Sequence, residues 1–147
     1  HASKPCRCSV ETIRRYRDKI SGPLLDRIDL IIDVPQLTEH DLTNNKRPES
    51  SDVVRERVLS AHAKQMQRQG KSNALLNVDE LEQVADIATE ATQYLSKLMN
   101  DLNLSARSYH RLLRVARTCA DLQADAVVKT GHIVEAIQFR RAWTNPL

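Results

Sequence analysis

Two arginines, a Cys-x-Cys pair and a Gly-Lys-Ser tripeptide are the places where this chain carries residue types suited to chemistry. Arg27 stands where the apolar period changes: Leu24, Leu25 and Ile28 follow a helical turn, then Ile28, Leu30, Ile32 and Val34 alternate with Asp29, Ile31 and Asp33. That pattern predicts a strand with a guanidinium at its mouth, the end of a sheet where phosphates and substrates meet a protein. Arg107 falls in the first turn of a predicted helix capped by Ser105. The helix dipole disfavours a cation there. An arginine so placed either gains an anion held jointly with backbone N–H groups or is simply solvated.

Cys6 and Cys8 form a lone C-x-C, half of a zinc site at best, because zinc takes four ligands. Cys119 lies among apolar residues of a predicted helix and reads as a buried thiol. Gly70-Lys71-Ser72 matches the end of a phosphate loop, but Gln65 stands where the loop needs its first glycine, and a helix precedes it rather than a strand. Gly70 is therefore read as a helix C-cap. His40, His62, His110 and His132 share no ligand spacing and are assigned to surface or packing, and no Ser/His/Asp or Cys/His set is recognisable. The many carboxylates read as solvated helix faces, with no acid and base pair among them.

The elements that must position these residues are mostly helices. Ser9 caps a short basic helix whose inner face is Ile13, Tyr16 and Ile20. The Ser21-Gly22-Pro23 break leads into the strand, and Gln36 to Glu49 is a polar connector with a domain boundary near residue 45. A helix from Ser50 or Ser51 to Gln69 turns Val54, Val58 and Ala61 inward. Asp79 and Glu82 resemble a capping box opening a helical region to about Asn100, as two helices or one kinked helix. The helix after Ser105 has Tyr109, Leu112, Leu113, Ala116 and Ala120 inside, with Arg107, Arg111, Arg114 and Arg117 outside. A last helix runs from Thr130 to about Trp143, completing a small antiparallel bundle.

Composition points the same way. The 147 residues suffice for one domain, and 3% aromatic residues with only three glycines favour a core of Leu, Ile, Val and Ala in packed helices. Net charge is only +3, but its basic excess gathers near the N-terminus, in Lys4, Arg7, Arg14, Arg15, Arg17, Lys19 and Arg27, a bias suited to phosphate or nucleic acid. No apolar run reaches the length of a membrane span and no signal peptide is visible, so a cytoplasmic protein with no membrane partner is expected. A single strand without a partner, and a chain that starts without Met, lead to the expectation of a fragment of something larger.

The segments around the two arginines, SGPLLDRIDL at Ser21 to Leu30 and LSARSYHRLLRVARTCADL at Leu104 to Leu122, resemble the magnesium chelatase-like AAA+ proteins, in their ComM or YifB branch. CRCS at Cys6 to Ser9, IRRYRDKISGP at Ile13 to Pro23 and HIVEAIQFRR at His132 to Arg141 extend the resemblance over nearly the whole chain. It implies a mainly α fold: residues 1–45 as the tail of an AAA+ core, with its last helix and an edge strand at Ile28 to Val34, and residues 46–147 as the helical lid. It also implies that Arg27 is an arginine finger reaching the neighbouring subunit's nucleotide, and that Arg107 is the sensor 2 arginine for the subunit's own ATP. Cys6 and Cys8 match half of a cysteine cluster that would hold zinc in an intact protein.

ATP with Mg would be the cofactor and a hexameric homo-oligomer the assembly. Walker A and Walker B residues are absent from this sequence, so no hydrolysis is expected from the chain alone. Three functions follow: a ring ATPase that remodels DNA by branch migration in natural transformation, an ATPase subunit for magnesium insertion into a porphyrin, or a non-enzymatic helical module binding DNA or a partner. The last is weakened by the lack of a helix-turn-helix spacing and of aromatic residues to stack on bases.

Overall fold

The computed structural model describes residues 7–25, 27–32, 34, 35, 37, 39, 43 and 48–141, and among them the chain is helical with no strand. The helices are α1 (Val10–Arg17), α2 (Gly22–Leu25), α3 (Ser51–Gln69), α4 (Val78–Val84), α5 (Thr89–Asp101), α6 (Ala106–Leu122) and α7 (Thr130–Arg141), with a 3-10 turn at Asn73–Leu75 after α3. The mainly α architecture expected of a helical lid is what forms.

α6 is the centre of the bundle, in contact with α3, the 3-10 turn, α4 and α7, while α5 packs on α7. One core cluster joins Ala91, Leu95 and Leu98 of α5 to Leu112, Ala116 and Ala120 of α6 and to Ile133, Ala136 and Ile137 of α7. A smaller one holds Leu76, Leu81, Ala85 and Leu113. These are small and branched aliphatic residues, as a chain poor in aromatics requires. α4 and α5 are separate helices: Asp86 takes φ 38°, and Ile87 makes a parallel bridge to Val128 between them. The bridge carries two backbone bonds, Val128 N–H to Asp86 O at 2.8 Å and Ala88 N–H to Val128 O at 3.0 Å.

Helix starts follow the caps. Ser9, Ser50 and Ser105 each accept from the third backbone N–H after them. α4 has its full capping box on Asn77 and Glu80, not on Asp79 and Glu82 as the sequence suggested. Glu80 serves twice, Oε2 accepting from Asn77 N–H and Oε1 pairing with Lys71 Nζ at 2.6 Å. That ion pair occupies the lysine of the Gly-Lys-Ser tripeptide, and Gly70 closes α3 as a left-handed C-cap at φ 70°.

Three expectations about packing are corrected. Val54 and Val58 of α3 are exposed; burial on that helix begins only at Ala61 and includes Gln65, in the half whose Lys64 and Arg68 reach Asp121 of α6. Tyr16 and Ile13 of α1 are exposed too. The predicted strand does not form: Ile28, Leu30, Ile32 and Val34 are exposed, and Asp33 lies outside the described residues. No neighbouring strand among the described residues offers a ladder, and Ile31 N–H instead donates to Phe139 O on α7 at 2.8 Å.

Arg117 is the fourth correction. Placed on the outer stripe by spacing, it is fully buried. Its guanidinium donates to the Ala126 and Asp125 carbonyls at 2.6 Å each, approaches Ala85 O at 3.4 Å and pairs with Asp121 at 3.1 Å. Asp121, 2% exposed, also takes a two-pronged contact from Arg68 of α3, at 2.6 and 3.0 Å, and a bond from Asn73 Nδ2 at 2.9 Å. Arg117 and Asp121 thus tie α3, the 3-10 turn, α4 and the α6–α7 loop to one helix. Cys119 is buried as expected, its thiol pushed up to about 12 by burial and by Glu135. His132 is buried at the entry of α7, where its Nδ1 accepts Lys129 N–H at 3.0 Å, leaving Nε2 to donate towards Gln123 and Asp125.

Candidate functional site

Arg107 is the second residue of α6, and it is exposed. The helix begins there because Ser105 has extended backbone, at φ −70° and ψ 159°, and its Oγ accepts Ser108 N–H at 3.2 Å. The buried Ser108 hydroxyl receives Arg140 Nη2 of α7 at 3.4 Å, so α7 fixes the first turn of α6 from the inside. Among the described residues no carboxylate lies within ion-pair distance of Arg107. The cation therefore stands at a positive helix end with no opposite charge among the described residues to explain it. A guanidinium beside first-turn N–H groups has the donor geometry to take a phosphate or carboxylate in a forked contact.

Arg27 follows α2, its N–H donating to Leu24 O at 2.9 Å, and its side chain is exposed. Its carbonyl is held by α6: Arg111 Nη1 donates to Arg27 O at 2.6 Å and to Asp29 Oδ1 at 2.6 Å. Arg111 is one turn beyond Arg107 on the same face of the helix. The structure thus brings the Arg27 backbone against the helix that carries Arg107. Sequence reasoning missed Arg111 and Arg140 as partners of this region. The i,i+4 spacing from Arg107 was a signal for the first; Arg140 had none, because its partner is on another helix.

Next along α6, His110 pairs with Glu82 of α4 at 3.1 Å and meets the Tyr109 ring edge-on at 5.0 Å. Burial, with the charge of Glu82 behind it, pushes the Tyr109 hydroxyl up. Arg114 is spent on structure, donating to Leu76 O at 2.9 Å.

Cys6 lies outside the described residues and Cys8 is exposed. Two thiols supply at most half of a tetrahedral zinc set, and no group of three or more His, Cys, Asp or Glu suited to a metal gathers among the described residues. These residues do not by themselves fit zinc. Nor do they fit a magnesium cage; what they offer a nucleotide is guanidinium and backbone donors for its phosphates. No described helix is long and apolar enough to cross a membrane.

Over 135 residues the chain is 44% identical to competence protein ComM of Haemophilus influenzae, a match covering 91% of this chain and 26% of that protein. It is 38% identical over 135 residues to uncharacterized protein YifB of Escherichia coli, covering 91% of this chain and 27% of the relative. Over 140 residues it is 32% identical to uncharacterized protein Mb2921c of Mycobacterium bovis, covering 92% and 28%. The chain therefore spans about a quarter of the length of these relatives. Residues 1–42 match the family described as magnesium chelatase, subunit ChlI. Residues 48–140, which include the whole α3–α6 scaffold and nearly all of α7, match magnesium chelatase, subunit ChlI C-terminal, and the chain belongs to that family.

Proposed function

We propose that this chain forms the C-terminal part of a ring-forming AAA+ ATPase, with residues 1–45 completing a nucleotide-binding core and residues 46–147 forming its lid. Arg27 is the arginine finger acting on the neighbouring subunit's nucleotide, and Arg107 is the sensor 2 arginine facing the subunit's own. The observation that carries this reading is the exposed Arg107 in the first turn of α6, without a carboxylate partner among the described residues. The bound Mg-ATP would supply the γ-phosphoryl group to be transferred. Arg107 would hold its phosphates from the lid, and Arg27 would stabilise charge that builds as the phosphoryl leaves. The phosphate loop and the acid that orders the metal come from outside these residues. The assembly is a homo-oligomer, a hexamer in this reading, in the cytoplasm. Its task is the remodelling of DNA by branch migration during natural transformation, supported by the likeness to competence protein ComM.

The test is made in the longer protein. Arg27→Ala is expected to lower kcat by about 10³-fold or more while leaving nucleotide affinity nearly intact. Arg107→Ala is expected to weaken nucleotide binding by roughly tenfold, the loss of one charge-assisted contact. Turnover that survives Arg27→Ala overturns the finger assignment. A second reading, an ATPase subunit driving magnesium insertion into a porphyrin, is favoured by the description of the matched family. Porphyrin metallation with partner subunits, and no branch migration on a four-way DNA junction, would select it.

A further inference from the structure

The two arginines assigned above serve different nucleotides, yet one side chain joins their supports. Arg111 Nη1 has two hydrogens and both are used, one on the Arg27 carbonyl at 2.6 Å and one on Asp29 Oδ1 at 2.6 Å. The first bond fixes the peptide plane that leaves Arg27, and with it the direction in which that residue's side chain departs from the backbone. Two residues beyond Asp29, Ile31 N–H is held by Phe139 O of α7 at 2.8 Å. The segment from Arg27 to Ile31 is thereby pinned at two points, one on α6 and one on α7, and those helices share a core cluster.

We propose that Arg111 is the positioning residue that sets the arginine finger from the lid, coupling the nucleotide state read by Arg107 in one subunit to the Arg27 offered to the next. This rests on the assignments under Proposed function. Arg107 and Arg111 are one turn apart on α6, and the helix is made rigid by its buried stripe and by Arg117, so a displacement of its first turn carries Arg111 with it. The clamp is built to be broken and remade. Its side chains are 22% and 47% exposed, so the ion pair is partly screened and water is at hand to take over either bond. A coupling of this kind needs a two-state element that both sites bias, and the Arg27–Ile31 segment, clamped or released, is that element.

Two measurements test it. In this chain, hydrogen exchange at the Ile31 amide should be faster in Arg111→Ala by about tenfold or more, since one of two pins is gone, and Arg111→Lys should restore part of the protection. In the longer protein, Arg111→Ala should reproduce the signature of Arg27→Ala in milder form. The expected kcat loss is about 10- to 100-fold, the cost of misplacing a catalytic group by about 1 Å. Nucleotide affinity should stay within about twofold. Asp29→Asn should fall between wild type and Arg111→Ala.

A purely structural role would move affinity and kcat together. Unchanged Ile31 exchange overturns the clamp. If Arg27→Ala abolishes turnover while Arg111→Ala leaves it within about twofold, the coupling is wrong and the finger assignment stands. If both variants keep full turnover, the finger assignment falls and takes the coupling with it.

Discussion

Arg107 and Arg117 share a helix and belong to one series, Arg107, Arg111, Arg114 and Arg117, with steps of three or four residues, yet one is exposed and the other wholly enclosed. At 3.6 residues per turn the arginine stripe drifts, so that Arg117 lies about 80° around the helix from Arg107. That drift carries it to the end of α4 and the α6–α7 loop, where it reaches the Ala85, Asp125 and Ala126 carbonyls. Spacing alone could not show this, because the neighbour that buries Arg117 is recruited by tertiary packing. Asp121 was hidden for the same reason: a carboxylate among many, it became central only when Arg68 and Asn73 reached it. Burial acts first to raise the Asp121 carboxyl, but the hydrogen bonds from Arg68 and Asn73 and the Arg117 charge outweigh it and hold it below the usual carboxylate range. Burial likewise pushes Arg117 down, opposed by Asp121, and a guanidinium still keeps its proton.

The sign of the pH effect follows. A folded-state value below the unfolded one means that Asp121 contributes stability above about pH 4, the unfolded value, and that this is lost as pH falls through the folded value. Asp121→Asn is expected to cost about 3–5 kcal/mol near neutrality, because a buried guanidinium loses its counter-charge. Its stability should also fall less steeply than that of the wild type below about pH 4. Urea titrations at a series of pH values measure both. Equal acid limbs in the two proteins would assign that part of the pH dependence to other carboxylates.

Helix ends divide into those a reader of the sequence finds and those that only packing defines. Gly70 was legible because glycine takes the left-handed region at little cost, and the pattern of α3 stops there. α5 and α6 end the same way without glycine. Asn103 at φ 51° and Ala124 at φ 61° occupy the corresponding positions. At the end of α6, Asp125 N–H returns to Ala120 O at 2.9 Å and Ala124 N–H to Asp121 O at 3.2 Å, the paired bonds of a Schellman close. Asparagine tolerates that conformation; alanine has no local reason to adopt it. Ala124 is held there because Arg117 grips the next two carbonyls, Asp125 and Ala126, and because His132 and Lys129 engage the Asp125 carboxylate.

Ala124→Gly is therefore expected to stabilise the chain by about 0.5–1 kcal/mol, the left-handed penalty less the added freedom of the unfolded glycine. A thermal melt should move up by a few degrees. A variant that melts lower would show that the alanine methyl is used in packing. The capping box tells a related story. Asn77/Glu80 and Asp79/Glu82 both fit the Asx-x-x-Glu pattern, and the earlier pair wins because Lys71 from the preceding loop anchors Glu80.

At the scale of the molecule, the sequence revealed the class of fold and much of its order, since a chain with 3% aromatic residues and strong helical periods has few alternatives to a bundle. The face each helix presents was less legible where a helix runs past its partners. α3 is the clearest instance. Every residue from Ser51 to Ser60 is exposed, including Val53, Val54, Val58 and Leu59, so its apolar positions look like an inner stripe but have nothing described to face. From Ala61 onward the helix is gripped: Lys64 Nζ donates to Asp121 O at 3.2 Å, Gln65 Oε1 accepts Asn73 N–H at 3.0 Å, and Arg68 holds the Asp121 carboxylate.

One continuous helix thus has two regimes of stability. Helical segments of about ten residues are marginal in water without tertiary contacts, because nucleation costs more than so few bonds return. Amides from Arg55 to Ser60 are therefore expected to exchange at rates set by local fraying, while those from Gln65 to Gln69 exchange only as the bundle opens. Native-state hydrogen exchange, read residue by residue along α3, should show protection rising by about 10²-fold or more across Ala61. Asp121→Asn should lower protection in the second half and leave the first unchanged, since only the second depends on the buried ion pair. Uniform protection along α3 at low protein concentration would contradict the two-regime picture. Protection of the first half that grows with concentration would instead mean that Val54, Val58 and Leu59 find their partner in another copy of the chain.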